Sequence, residues 1–236
     1  GIYSNNSGDW DFNPIKLDKS GQLIWEKPLG FSNESHTREI ICVNNNIYIT
    51  GFDYDNNNGI LVKLDLDGNV VFSKAFDIGF NHLLWGLRHR NNFLYFMGTA
   101  YYNSSKTNGL IMKTDLDGNL VWNKTYDFGG NDDFEVMRFD ENGFIYFTGR
   151  TQNDTLDSSS HDAFLAKIDT LGELQWVKKY NTYGSDYPLE LEILPNGYPI
   201  ITNRDWVDAT NQYDEGILLL NSEGVPQWYS ILGKQG

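Results

Sequence analysis

Three things are scarce in this sequence, and each scarcity closes off a class of protein. Cysteine occurs once, at Cys42, so no internal disulfide framework can staple the fold. Its neighbours in EIICV predict a small buried hydrophobe rather than a reactive thiol. Long apolar runs are missing: no stretch approaches the roughly 18 residues that a membrane-spanning helix needs. The opening GIYSNNSGDW has neither the basic nor the apolar segment of a signal peptide. The chain therefore reads as soluble, with any export signal removed or lying outside it. Positive charge is also short, with 18 Lys plus Arg against 32 Asp plus Glu and a formal net charge of -14. The basic residues do not cluster, so nucleic acid, which is held through grouped Lys and Arg, is not an expected partner. An anionic membrane surface is disfavoured on the same ground.

What the chain does have is the material of strands and tight turns. Aromatic residues make up 15% of it, β-branched residues accompany them, and Asn, Asp and Gly lie between. Self-similarity is plain. PIKLDKSGQLIW (14–25), LVKLDLDGNVVF (61–72), IMKTDLDGNLVW (111–122) and LAKIDTLGELQW (165–176) are copies of one unit, and LLLNSEGVPQW (218–228) is a weaker fifth. Gly21, Gly68, Gly118, Gly172 and Gly224 follow one another at 47, 50, 54 and 52 residues. Trp25, Phe72, Trp122, Trp176 and Trp228 keep the same spacings.

Each copy reads as a hairpin. Alternating residues form a strand, an Asx residue three before the glycine (Asp18, Asp65, Asp115, Asp169, Asn221) bonds its own turn backbone, and the glycine takes positive φ. DLDGN is similar to the start of a calcium loop but lacks the remaining ligands and the distal Glu. Upstream of the later copies lie IYITG ending at Gly51, LYFMG at Gly98, IYFTG at Gly149 and PIITN at Asn203. These read as short strands stopped by a residue that tolerates left-handed backbone. One more strand and turn precedes each, so the unit has four strands, a to d. Four antiparallel strands per unit of about fifty residues, with one large aromatic each, match propeller blades better than a sandwich. The aromatic on strand d is then inter-blade packing.

The pattern K-x-D-x-x-G-x-x-x-W followed by Y-I-x-T-G resembles the β-propeller repeats of secreted and cell-surface Bacteroidetes-type proteins, and it covers nearly the whole chain. Two departures fall in the last repeat, where Leu219 replaces the motif lysine and Asn203 the glycine. The expected fold is all-β, a single β-propeller domain over 1–236, with a half blade at 10–30 supplying only strands c and d and full blades at about 36–77, 82–127, 134–180 and 188–232. That count predicts a piece of a larger propeller of about seven blades. A closed five-bladed ring is the alternative and would need two more strands.

In such blades the a–b and c–d connections share one face, the b–c and d–a connections the other. The second set is longer and irregular, and variable loops on a repeating scaffold are where binding resides. Trp10, Tyr54, Tyr101, Tyr102, Tyr183, Tyr187, Trp206 and Tyr213 fall on that face, and such side chains suit sugars or protein surfaces. The alternative reading has them pinning loops to blade ends. Acidic pairs there, Asp53 with Asp55, Asp132 with Asp133, and Asp205 with Asp208, offer calcium ligands or plain solvated charge; no cofactor is expected.

Strand a should line the channel, carrying Arg38, Glu39, Trp85, Arg88, Arg138, Glu190 and Glu192. His36, His82, His89 and His161 show no metal-ligand spacing, with His36 and His82 at matching loop ends. No G-x-S-x-G elbow, phosphate loop or dinucleotide fingerprint appears. Five N-x-S/T sequons, at Asn5, Asn33, Asn103, Asn123 and Asn153, follow from the Asn-rich composition.

The functional expectation is a non-enzymatic extracellular or cell-surface binding or adhesion module presenting its long loops to a protein or glycan. The alternatives are a carbohydrate-processing enzyme using Glu190 or Glu192, or a structural subunit of a surface assembly.

Overall fold

A computed structural model describes residues 2–4, 10–30, 35–103, 106–152, 161–180, 185–207 and 212–232, and among them there are strands and turns but no helix. β1 (Ile2–Ser4) pairs with β2 (Trp10–Phe12), and β3 (Ile15–Leu17) pairs with β4 (Leu23–Glu26). Four sheets of four antiparallel strands follow. They are β5 (Ser35–Val43), β6 (Asn46–Asp53), β7 (Asn58–Asp65) and β8 (Val70–Ala75); β9 (Asn81–Arg90), β10 (Phe93–Asn103), β11 (Lys106–Asp115) and β12 (Leu120–Tyr126); β13 (Asp132–Phe139), β14 (Ile145–Gln152), β15 (His161–Ile168) and β16 (Leu174–Tyr180); and β17 (Asp186–Ile193), β18 (Pro199–Val207), β19 (Gln212–Leu220) and β20 (Pro226–Ile231). Every neighbour in sequence is a neighbour in its sheet. The repeat therefore places the strands as expected, with one addition: the first, partial sheet has β1 beside β2, and Phe12 bridges Leu29.

The turns explain the Asx-x-x-Gly signature. In β7–β8, Asp65 Oδ1 accepts from the backbone N–H of Asp67 and Asn69, while Gly68 N–H donates to Asp65 O. Asp18, Asp115, Asp169 and Asn221 repeat this with their own turns. Hydrogen bonds to the charged form hold Asp18 and Asp65 below the usual carboxylate range. At the strand a–b corners, Asn44–Asn45 and Asn91–Asn92 adopt left-handed φ, the two-residue hairpin that Asn favours.

The chain divides into two compact units, Gly1–Ala100 with Met112–Val121, and Tyr101–Ile111 with Trp122–Gly236. In the first, Phe12, Leu29, Ile47, Ile49, Ile60, Val62 and Leu64 form a dry core with Trp25 against its edge. In the second, Val136, Tyr146, Leu165, Tyr180, Leu191, Ile201, Leu218 and Leu220 pack between β13–β16 and β17–β20. Phe128, Phe134, Phe147 and Phe164 form a further cluster there, with ring centroids 4.7 to 6.3 Å apart.

Two expectations need correction. Gly51, Gly98 and Gly149 neither end their strands nor take positive φ. They are needed because strand a crowds them. A Cβ on Gly51 would lie 1.9 Å from His36 O, on Gly98 1.9 Å from Leu83 O, and on Gly149 2.0 Å from Asp133 O. In the first and third cases strand a bulges at that point, between Thr37 and Glu39 and between Phe134 and Val136, which presses its backbone inward. Cys42 is exposed, not buried. It shares a face of β5 with Ile40, the cross-strand partners being Ile47 and Ile49. Ile40 is likewise exposed, and neither residue belongs to the core that Phe12 and Leu29 form with Ile47, Ile49, Ile60, Val62 and Leu64.

Candidate binding face

The b–c and d–a connections lie at one end of each sheet, and the candidate aromatics sit there by backbone register. Tyr54 is in the β6–β7 turn, Tyr101 and Tyr102 near the end of β10, and Tyr187 near the start of β17. Trp206 and Tyr213 are cross-strand partners at the tip of β18–β19, and Trp10 faces Ser4 across β1–β2. The side chains of Trp10, Tyr102, Trp206 and Tyr213 lie outside the described residues, as does Tyr183 altogether.

In the first unit the structure assembles an aromatic platform from residues that the sequence pattern did not group. His36 on β5 and Phe52 on β6 are cross-strand partners, stacked with centroids 5.4 Å apart. Tyr54 meets both edge-on, at 5.0 Å from His36 and 4.7 Å from Phe52. Trp85 on β9 meets Phe52 edge-on at 5.6 Å. The Arg38 guanidinium lies 5.0 Å from the Phe52 centroid and 5.4 Å from that of Trp85, a double cation–π contact. Arg38 is the bulge residue of β5, so it projects out of the alternation. Gly51 makes this possible, since any side chain there would block the bulge. Phe52 is buried while Tyr54 and Arg38 are exposed, giving a fixed base with a wet upper surface.

The second unit has its own cluster. Arg150 Nη2 and Nε donate to Asp133 Oδ2 at 2.9 and 3.1 Å, and its guanidinium sits 4.6 Å from the Tyr187 ring centroid. Glu135, at the bulge of β13, is exposed like Arg38.

Two of the three acidic pairs hold local structure. Asp53 accepts from the backbone N–H of Asp55 and Asn56 and from Asn56 Nδ2 at 2.6 Å, capping the β6–β7 turn. Asp133 is held by Arg150, and Asp132 Oδ2 accepts from Phe128 N–H at 2.9 Å. Asp205 and Asp208 have no described side chains. Among the described residues no three His, Cys, Asp or Glu converge as a metal site. His36 and His82 are not equivalent: His36 stands on the platform, whereas His82 is buried. Its Nε2 accepts from Gly59 N–H at 3.1 Å and its Nδ1 lies 3.0 Å from Phe80 O, as a neutral ring requires. Burial lowers its pKa.

Burial pushes the Asp132 carboxyl up to about 6. An acid whose folded pKa is raised binds protons more tightly when folded, so stability declines as pH rises from 3.8, the ordinary value, to about 6, and is flat beyond. The decline is expected to be roughly 2 to 3 kcal/mol. Asp132→Asn keeps an acceptor for Phe128 without the charge. Urea denaturation at pH 4 to 7 should show the variant gaining on the parent by that amount toward neutrality. His82 acts in the opposite sense in both proteins and cancels in the difference.

No family model and no curated protein sequence matches the chain. Among solved structures, the endo-arabinase of Bacteroides thetaiotaomicron aligns at 12% identity over 84% of this chain and 80% of its own, with a TM-score of 0.52. The apocarotenoid oxygenase of Synechocystis aligns at 9% over 99% of this chain and 60% of its own, with a TM-score of 0.54. The fold is a β-propeller. At these identities the likeness concerns the fold alone, and propellers host binding, catalysis and scaffolding alike.

The strand a acids that a catalytic reading would use are engaged. Arg138 Nη2 donates to Glu190 Oε1 at 2.6 Å and its Nε to Glu192 Oε2 at 3.2 Å. In the first unit Arg88 pairs with Glu39, whose other oxygen accepts from Leu87 N–H at 2.6 Å. These carboxylates are thus each held by an arginine of strand a.

Proposed function

We propose that this propeller is a non-enzymatic binding module, exported to the cell surface or medium, that engages a glycan or protein on its long-loop end. The observation that carries the reading is the platform of Arg38 held between Phe52 and Trp85 with Tyr54 exposed at its rim. Its rings are fixed by mutual packing before any ligand arrives, so little ordering entropy is lost on binding. Sugars stack their C–H faces on such rings, and the guanidinium adds planar donors for a carboxylate or hydroxyl. The resemblance of the repeats to those of secreted Bacteroidetes-type proteins supports export. The structural likeness to an endo-arabinase makes polysaccharides the first ligands to test.

The test is a glycan array and a pull-down from the native cells, followed by titration calorimetry on the hits. Arg38→Ala and Tyr54→Ala should each weaken binding about tenfold, with the fold intact by circular dichroism because both side chains are exposed. Unchanged affinity in both would place the binding face elsewhere. A polysaccharide cleaved by the parent but not by Glu190→Gln would replace this reading with the enzymatic one.

A further inference from the structure

Arginine and carboxylate keep company in this chain. Arg88 pairs with Glu39, Arg138 with Glu190 and Glu192, and Arg150 with Asp133. Arg38 stands apart. Among the described residues it makes no hydrogen bond or ion pair, and its guanidinium meets only the rings of Phe52 and Trp85. With 32 acidic residues against 18 basic ones, an arginine without a carboxylate is the exception, and its cause is local. The strands that carry the platform, β5, β6 and β9, hold two acidic residues, Glu39 and Asp53. Glu39 is taken by Arg88 and by Leu87 N–H, and Asp53 closes its own turn through both oxygens. The stack is complete within the first unit, since Phe52 belongs to the same sheet as Arg38 and Trp85 to the sheet that follows.

The second unit shows what the edge of a stacked guanidinium takes. Arg150 lies 4.6 Å from the Tyr187 ring centroid and donates from Nη2 and Nε to Asp133 Oδ2, at 2.9 and 3.1 Å. A ring covers the face of the guanidinium, while the N–H donors lie in its plane and point outward. Arg38 repeats the stack with two rings in place of one, and its side chain is exposed.

We propose that a ligand carboxylate takes the place at Arg38 that Asp133 takes at Arg150, so that the platform selects uronate-bearing glycans over neutral ones; this rests on the binding-face reading above and narrows it. A uronate is favoured over the acidic side chain of a protein because Tyr54 and Arg38 lean on one ring, 4.7 and 5.0 Å from the Phe52 centroid. A pyranose that bears its carboxylate on the ring covers the exposed Tyr54 with its C–H face and reaches the guanidinium edge at once. An Asp or Glu side chain would meet Arg38 alone.

Titration calorimetry of the full chain with trisaccharides in matched pairs, galacturonan or mannuronan and the carboxyl-reduced form of each, reads this preference. The uronate member should bind at least about tenfold tighter. Arg38→Gln should bring that ratio close to one, and Arg38→Lys, which keeps the charge but not the planar fork, should restore only part of it. Tyr54→Ala should weaken both members of a pair and leave their ratio in place. A parent ratio near one overturns the carboxylate assignment, and the platform itself survives that result if Tyr54→Ala still weakens both members. A parent that binds no member of either pair overturns the assignment too, while the broader reading stands or falls by the glycan array and the pull-down. An oligo-aspartate of equal charge that binds as tightly as the uronate, and through Arg38, overturns the glycan assignment in favour of an acidic protein.

Discussion

Gly149→Ala is expected to destabilise the second unit by about 4 kcal/mol or more, a large fraction of an ordinary total stability of about 5–15 kcal/mol. The new methyl would lie 2.0 Å from Asp133 O and 2.9 Å from Phe134 Cα. Neither atom is the end of a flexible side chain; both belong to the bulged backbone of β13, which is paired along its length with β14. Relief would require undoing the bulge, shifting register past Phe134 and moving every inward residue of β13 to the other face. Gly197→Ala is the control. Gly197 has φ +80° but open space around its Cβ position, so it should lose only about 1 to 2 kcal/mol from left-handed strain. Equilibrium denaturation of the two variants separates steric collision from backbone strain, and equal losses would contradict the close-approach account of Gly149.

Phe164→Ala is expected to cost about 3 to 5 kcal/mol. Phe164 has no exposed surface. Its ring meets Phe128 at 4.9 Å and Phe134 at 5.3 Å, both edge-on, so the substitution removes burial and two favourable ring geometries together. The cavity would form beneath the loop end of the second unit, near Asp133 and Arg150. A Phe164→Leu variant, which fills much of the space, should recover more than half of the loss in a thermal or urea melt. If Ala and Leu were equally destabilising, ring geometry rather than volume would dominate.

The architecture was legible because it is written in repeated, short-range physics. Asp65 and Gly68 specify a turn by local hydrogen bonding and φ, and five copies of that turn set the strand count. Trp25, Phe72, Trp122 and Trp176 pack on the turn of the next sheet as the pattern implies, whereas Trp228 is exposed. The meaning of Gly51 and Gly149 was not legible, because a glycine forced by a neighbouring carbonyl and a glycine forced by φ look alike in sequence; the deciding fact is a bulge on another strand. Cys42 was misjudged because apolar neighbours along a strand alternate between faces, and what covers one face is a matter of tertiary contact. The platform was half legible. Tyr54 and Arg38 are legible separately, as a loop aromatic and a strand a charge, but Phe52, directly after Gly51, reads only as the first residue of the b–c loop. Glu190 and Glu192 were placed on the right strand, yet their capture by Arg138 depends on residues more than fifty positions apart.

Two indoles and two tyrosines hold the next turn by main-chain carbonyls, Trp25 on Leu66 O, Trp122 on Thr170 O, Tyr126 on Gly172 O and Tyr180 on Gly224 O. These aromatic contacts read backbone, while the lysines beside them, Lys74 on Asn119 and Lys124 on Glu173, add side-chain bonds to the same turns. Units of this kind can be duplicated, deleted or exchanged in frame without co-evolving a partner, provided that the Asx, the glycine and the aromatic travel together. The gene can thus lengthen or shorten by about fifty codons at a time while the opposite loops diversify freely, each at no cost to its neighbours' fit.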